Sequence, residues 1–292
     1  MGSPRNVAVT GASGMVGRHV VQALRRAEFE TRIVDRVHWD LRSWANDNVL
    51  DDCFSGCDAV VHAGAAVPSP GRPVPPQDII DANVRACYCL GDWARRRGKP
   101  VVFISGATVY AWTGNPALKE DAEKTSRPSS GLYGLSKLLG EQALDSLAAQ
   151  GLRLCTLRPA SVYGAGIPQG RMVADLLGKA SRGEDIVLRA PARDHFSLVH
   201  AADVAGAVLG ALSEEAWDVF NVGGPPPASI VDIACTCVVV AGRGKVVLPE
   251  LDDAPGTLQY GLDSRKAAVK IGYTARVGLE EGLRRTLAGE VG

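Results

Sequence analysis

Val7-Ala8-Val9-Thr10-Gly11-Ala12-Ser13-Gly14-Met15-Val16-Gly17 is the stretch on which the fold of this chain turns. A β-branched run passes into three spaced glycines, and an amphipathic segment from Met15 to Ala27 follows at once. Glycines at such a junction let the backbone turn tightly and approach a pyrophosphate. The free N–H groups and the dipole of the following helix attract that anion. Asp35 comes 18 residues after Gly17, at the end of the next β-run. A carboxylate there accepts hydrogen bonds from an adenosine ribose 2′-hydroxyl. These features predict a dinucleotide site built from Gly11, Ser13, Gly14, Met15, Val16, Gly17 and Asp35. Asp35 disfavours a 2′-phosphate, so NAD is preferred, while the Arg36 guanidinium next to it leaves NADP open.

The same alternation continues toward residue 160. Short runs at Thr31–Val34, Ala59–His62, Val101–Ile104 and Leu154–Leu157 read as strands, and Ile79–Arg97 and Tyr133–Gln150 read as helices. Strand–helix–strand alternation implies an α/β protein with a Rossmann-type, doubly wound parallel sheet. The expected organisation is a dinucleotide-binding domain over 1–160 and a smaller, mainly substrate-binding lobe over 161–292, some segments of which return to the sheet. In that second part Arg171–Arg182, Asp203–Leu212 and Ile230–Gly242 read as helices, with Ile186–Leu188 and Val219–Val222 extended. The prolines from Pro68 to Pro76 follow a strand and so fall at the carboxyl edge of the sheet, where ligands bind.

Composition narrows the classes further. The 292 residues carry 32 Lys+Arg against 32 Asp+Glu, and this balance argues against a nucleic-acid partner. No stretch approaches eighteen consecutive apolar residues, so no membrane-spanning helix is expected. Gly11, Gly14 and Gly17 interrupt any apolar core in the first seventeen residues, which disfavours a signal peptide. Seven cysteines include no paired C-x-x-C, so no metal site is expected. They read as reduced, buried thiols of a cytoplasmic protein. Arg95-Arg96-Arg97-Gly98 reads as a helix end, where cations suit the dipole.

A second chemical feature is Tyr133-Gly134-Leu135-Ser136-Lys137. Residues four apart share a helix face, and an ammonium near a phenol lowers the phenol pKa from about 10 toward the working range of a general base.

With both features in place the chain resembles an extended short-chain dehydrogenase/reductase of the NAD-dependent epimerase/dehydratase group, which includes nucleotide-sugar epimerases. Further residues carry the likeness. Val60-Val61-His62-Ala63-Gly64-Ala65 resembles the family's fourth strand, and Asp40-Leu41 its pair near the adenine. Asn83 matches an Asn of the next helix, and Ser105-Gly106-Ala107-Thr108-Val109-Tyr110 the fifth-strand motif. Leu157-Arg158-Pro159 with Val162-Tyr163-Gly164 matches the sixth. Phe196–Val199 with His200, Asp203-Val204-Ala205 and Phe220-Asn221-Val222-Gly223 resemble later landmarks.

The resemblance implies Tyr133 as base, and Lys137 as the residue that tunes it and bonds the nicotinamide ribose. It places Arg36, Asp40, Leu41, Ala63, Gly64, Ala65, Asn83, Ser105, Pro159 and Val162 around the cofactor. Val67, Gly106, Thr108, Tyr110 and Ser161 are expected at the substrate, with Arg171 and Arg193 as cations available to it. The helices at 79–97 and 133–150 are implied to pair in a homodimer.

Departures from the family pattern shape the functional reading. Gly106 stands where the family has a catalytic Ser or Thr. Ser105 is one residue early and, by strand alternation, is expected on the opposite face, whereas Thr108 is expected on the face of Gly106, as a catalytic residue whose hydroxyl takes part of the lost role. Ala107-Thr108 replaces the acidic pair of dehydratases, which disfavours 4,6-dehydration. Ser161 replaces an Asn, and Ala254, beside Asp252 and Asp253, replaces an Arg that grips the substrate diphosphate. The expected activity is NAD-dependent oxidation and reduction at a sugar secondary alcohol, foremost 4-epimerisation of a nucleotide sugar. Net dehydrogenation or reduction of a non-nucleotide small molecule comes second. A non-catalytic NAD(P)-binding sensor comes third.

Overall fold

Val7, Val9, Val61 and Val102 point to one side of a sheet, and Ala8, Val60, Val101 and Phe103 to the other. Strands apolar on both faces need cover on both, which parallel crossover helices supply. The computed structural model describes residues 5–111, 113–250, 257 and 261–292. Its main sheet contains β1 (Asn6–Thr10), β2 (Glu30–Val34), β3 (Ala59–His62), β4 (Val101–Ile104), β5 (Leu154–Pro159) and β6 (Val219–Val222). All neighbours pair in parallel, in the order β2-β1-β3-β4-β5-β6. Strand order reverses beside β1, and the crevice at the carboxyl ends of β1 and β3 is where such sheets bind ligands.

One face is covered by α1 (Met15–Arg26), which brings Val20 and Leu24 into a shared core with the later helix at 201–213. The other face is covered by α2 (Asp47–Phe54), α3 (Pro76–Ile80), α4 (Ala86–Arg96) and α5 (Leu132–Ala148). Leu50, Phe54, Leu90, Trp93, Leu144 and Leu147 form its core. Beyond β5 come α6 (Met172–Ser181), α7 (Ala201–Ser213), α8 (Ile230–Ala241), α9 (Arg265–Ile271) and α10 (Leu279–Ala288). Helix α7 packs on α1, and α9 adds Ala267 and Ile271 to the same core. Helices α6, α8 and α10 surround a separate cluster that includes Val173, Leu177, Ile233, Cys237 and Leu283.

Two local expectations are corrected. The strand ending at His62 is the third of the chain, not the fourth, and residues 47–54 ahead of it form a helix that the sequence reading did not place. Asn46 caps that helix by accepting from the Val49 N–H at 3.1 Å, and its buried Leu50, Cys53 and Phe54 recur at helical spacing. The segment expected as one helix from Ile79 to Arg97 begins at Pro76 and contains a wide π-turn at Asp81–Arg85 between α3 and α4. All seven cysteines are free, and only Cys235 is exposed. No helix among the described residues is long and apolar enough to cross a membrane.

Candidate active site

The turn after β1 brings backbone close to backbone. Gly11 has φ +66°, and a Cβ there would lie 2.5 Å from Gly64 Cα, at the turn after β3. A Cβ on Gly17 would lie 2.8 Å from Ala12 Cα, so only glycine lets α1 start this near the sheet. Thr10 Oγ1 ties the two strand ends, 2.8 Å from His62 Nδ1 and accepting from the Gly64 N–H at 3.3 Å. Burial pushes the His62 pKa down to about 3, so the ring is neutral.

A cleft of about 960 Å3 opens above these turns. Gly11, Ser13, Gly14, Met15, Val16, Gly17, Asp35, Arg36, Asp40 and Leu41 line it, as do Ala63, Gly64, Ala65, Ser105, Tyr133, Lys137, Pro159 and Val162. The free N–H groups of the α1 N-terminus and the glycine-tight turn suit a pyrophosphate. Asp35 accepts from His38 Nδ1 at 2.6 Å and from the Val37 N–H at 3.0 Å; the His38 bond holds its carboxyl below the ordinary range. The Arg42 guanidinium, bonded to both oxygens of Asp40, brings that carboxyl to about 2, and it also reaches Asp78 at 3.1 Å. This lining fits a dinucleotide.

Lys137 is buried, its Nζ donating to the Ile104 carbonyl at 2.9 Å and lying 5.0 Å from the Phe103 ring centre. Burial pushes its pKa down. Burial likewise pushes the Tyr133 phenol up, and the cation opposing that rise is Arg171. Arg171, at the start of α6, donates to the Pro68 carbonyl at 3.0 Å and bridges to the proline-rich loop, whose Arg72, Pro73, Val74 and Pro75 also line the cleft.

The loop after β4 overturns the alternation expected there. Beyond Ile104 the chain leaves the strand and forms a single 3-10 turn at Ala107–Val109. Ser105, Gly106 and Thr108 consequently all face the cleft, together with Val67 and Ser161. Ser105 Oγ is buried without a hydrogen-bond partner. Gly106 is extended, and a Cβ there would meet nothing nearer than Thr108 Cγ2 at 3.7 Å, so the position has room for a side chain.

Three expected residues lie outside the cleft lining. Tyr110 is 1% exposed in the core, donating to Asn221 Oδ1 at 2.7 Å and accepting from Arg158 Nη1 at 2.9 Å; the 3-10 turn rotates it inward. Arg193 is exposed in a turn and is not among the lining residues. Asn83 is buried and clamps the strap after β3, accepting from the Ala66 N–H at 2.7 Å and donating to the Ala66 carbonyl at 3.0 Å and to Ser136 Oγ at 2.9 Å. It shapes the cleft from behind. Ala254, Asp252 and Asp253 lie outside the described residues. Sequence reasoning missed Trp39, Arg42, Asp78, Ser130 and Met172, all of which line the cleft. No motif or periodicity marks them. Among the described residues no group of three or more His, Cys, Asp or Glu is placed to hold a metal ion.

Known proteins share this architecture. The profile of the "NAD dependent epimerase/dehydratase family" matches residues 7–223. A dTDP-4-dehydro-6-deoxy-D-allose reductase of a Streptomyces species is 27% identical, over 96% of this chain and 95% of that protein. A UDP-glucose 4-epimerase of Azospirillum brasilense is 35% identical, over 58% of this chain and 52% of its own. The solved structure of MoeE5 in complex with UDP-glucose and NAD superimposes with a TM-score of 0.82 at 26% identity, covering 97% of this chain and 98% of that one.

Proposed function

The chain belongs to the NAD-dependent epimerase/dehydratase family, an enzyme family, and from that premise we propose that it is a nucleotide-sugar 4-epimerase. The observation that carries this reading is the meeting of Tyr133, Lys137 and Thr108 in the same cleft as the Gly11–Gly17 turn. The carboxylates among the lining residues are Asp35, Asp40 and Asp78, none of them near Thr108 in sequence and two of them paired with Arg42. Dehydration, which needs an acid beside the base, is therefore disfavoured.

The pyrophosphate of NAD would rest on Gly11, Ser13, Gly14 and the α1 N-terminus, and its adenosine ribose on Asp35. NAD, when bound, supplies the hydride acceptor and returns the hydride. Tyr133 as phenolate takes the proton of the substrate hydroxyl and later gives it back. Lys137 holds the base end of α5 against β4 through Ile104. Thr108 donates to the reacting oxygen in place of the hydroxyl missing at Gly106. A keto intermediate that stays in the cleft and turns over is reduced from its other face. We further read the enzyme as a cytoplasmic homodimer. The free cysteines support a reducing compartment, and the exposed Tyr88 on α4, which packs beside α5, supports a helical interface.

Gly106 and the reductase relative favour a second reading, net reduction or dehydrogenation. Incubation with UDP- and dTDP-hexoses separates the two. Isomerised sugar without net NADH is the expected result; stoichiometric NADH change establishes the second reading, and neither product with tight NAD binding leaves a sensor. Tyr133→Phe should abolish turnover and spare NAD affinity.

A further inference from the structure

The Thr108 and Ser130 hydroxyls are hydrogen-bonded to each other, and both residues line the cleft. They come from separate elements, the 3-10 turn after β4 and the loop leading into α5. Both press on the first turn of α5 at Gly134, the residue after Tyr133. A Cβ on Gly134 would lie 2.7 Å from Thr108 Oγ1 and would also strike Ser130 Oγ. Glycine at 134 is therefore what lets the hydroxyl pair sit against the helix that carries the base. On its other side Thr108 borders the open space at Gly106, its Cγ2 3.7 Å from where a Cβ would stand.

A hydroxyl pair of this kind has one proton inside the pair and one left over. We propose that Ser130 is a positioning residue of the reaction: its O–H donates to Thr108 Oγ1, which turns the Thr108 proton toward the reacting oxygen of the substrate. The direction follows from place, because Thr108 borders Gly106 and Ser130 does not. A hydroxyl whose oxygen already accepts a hydrogen bond is the stronger donor, and a bonded threonine is held in one rotamer. Two residues thus perform what one Ser or Thr at 106 performs elsewhere in the family. The inference rests on the reading of Thr108 given above.

The test uses the intact enzyme with NAD and the nucleotide sugar it turns over, comparing Ser130→Ala, Thr108→Val, their combination, and Gly106→Ser added to Ser130→Ala. Loss of one supporting hydrogen bond should lower kcat about tenfold in Ser130→Ala, with NAD affinity and melting temperature unchanged. In the combined variant the losses should not add, since Ser130 acts only through Thr108. Gly106→Ser should restore most of the lost kcat by supplying the hydroxyl directly, a rescue that a purely structural role for Ser130 does not predict. Full activity in Ser130→Ala, additive losses, or failure of the rescue each overturn the proposal. If wild type is inactive on every nucleotide sugar, or if Tyr133→Phe retains activity, the underlying reading fails as well.

Discussion

Arg158 and Glu141 form a two-point ion pair inside the protein, Nε donating to Oε1 at 2.9 Å and Nη2 to Oε2 at 2.7 Å, with both side chains 2% exposed. The pair joins β5 to α5 one helical turn after Lys137, and so holds the rotation of the helix that presents Tyr133 and Lys137 to the cleft. Removing one partner strands a buried charge. Glu141→Ala should lose about 3–5 kcal/mol of stability in denaturant unfolding, and Arg158→Met combined with Glu141→Leu should recover much of it. A loss in Glu141→Ala no larger than about 0.5 kcal/mol, typical of a surface change, would show that the pair does not secure α5.

Tyr110 belongs to the same network and lies outside the cleft lining. Tyr110→Phe leaves Asn221 Oδ1 and Arg158 Nη1 each short of a partner, a cost of about 1–3 kcal/mol. The expected outcome is a lower unfolding midpoint with KM for the sugar unchanged. A raised KM at unchanged stability would return Tyr110 to the substrate.

Burial and the Arg171 guanidinium pull the Tyr133 phenol in opposite directions, burial the more strongly. In the proposed reaction, oxidation of the substrate hydroxyl needs the phenolate, so kcat/KM should rise with pH through the Tyr133 pKa. Burial raises that pKa and Arg171 lowers it. Arg171→Ala should therefore move the rising limb to higher pH, measured as a kcat/KM profile. A limb that stays in place or moves to lower pH contradicts this coupling.

Three buried histidines set an acid limit on the fold. Burial lowers His19 and His200 from 6.5 to about 4 and His62 to about 3, Arg18 adding to the effect on His19. Below pH 6.5 the unfolded chain binds protons that the folded chain refuses, so stability is full above that pH and falls as pH drops toward 4. Denaturant midpoints at about pH 7 and about pH 5 should differ, the latter being lower. Equal midpoints would mean that the rings charge in the folded state.

How far the sequence could be read follows from how local each signal is. Gly11 and Gly17 are legible because the turn they serve closes within one strand–helix junction, and Tyr133 with Lys137 because four residues make one helical turn. Helix α2 escaped notice because its eight residues carry only Leu50, Cys53 and Phe54 as core. The reading of Ser105, Thr108 and Tyr110 assumed a strand that continues past Ile104. There the chain instead bends into a 3-10 turn, which brings Ser105 to the cleft and sends Tyr110 into the core.

Strand–helix alternation, the dinucleotide turn and the Tyr–Lys pair were set by residue type and period, since backbone geometry acts over a few neighbours. The bond between Thr108 and Ser130, separated by 22 residues, was not. Neither was that of Arg171 to Pro68 across 103, or of Tyr110 to Asn221 across 111. Such pairs have no period along the chain. They exist because packing both faces of the sheet fixes where each loop ends, and that packing settles which side chains meet over the cleft.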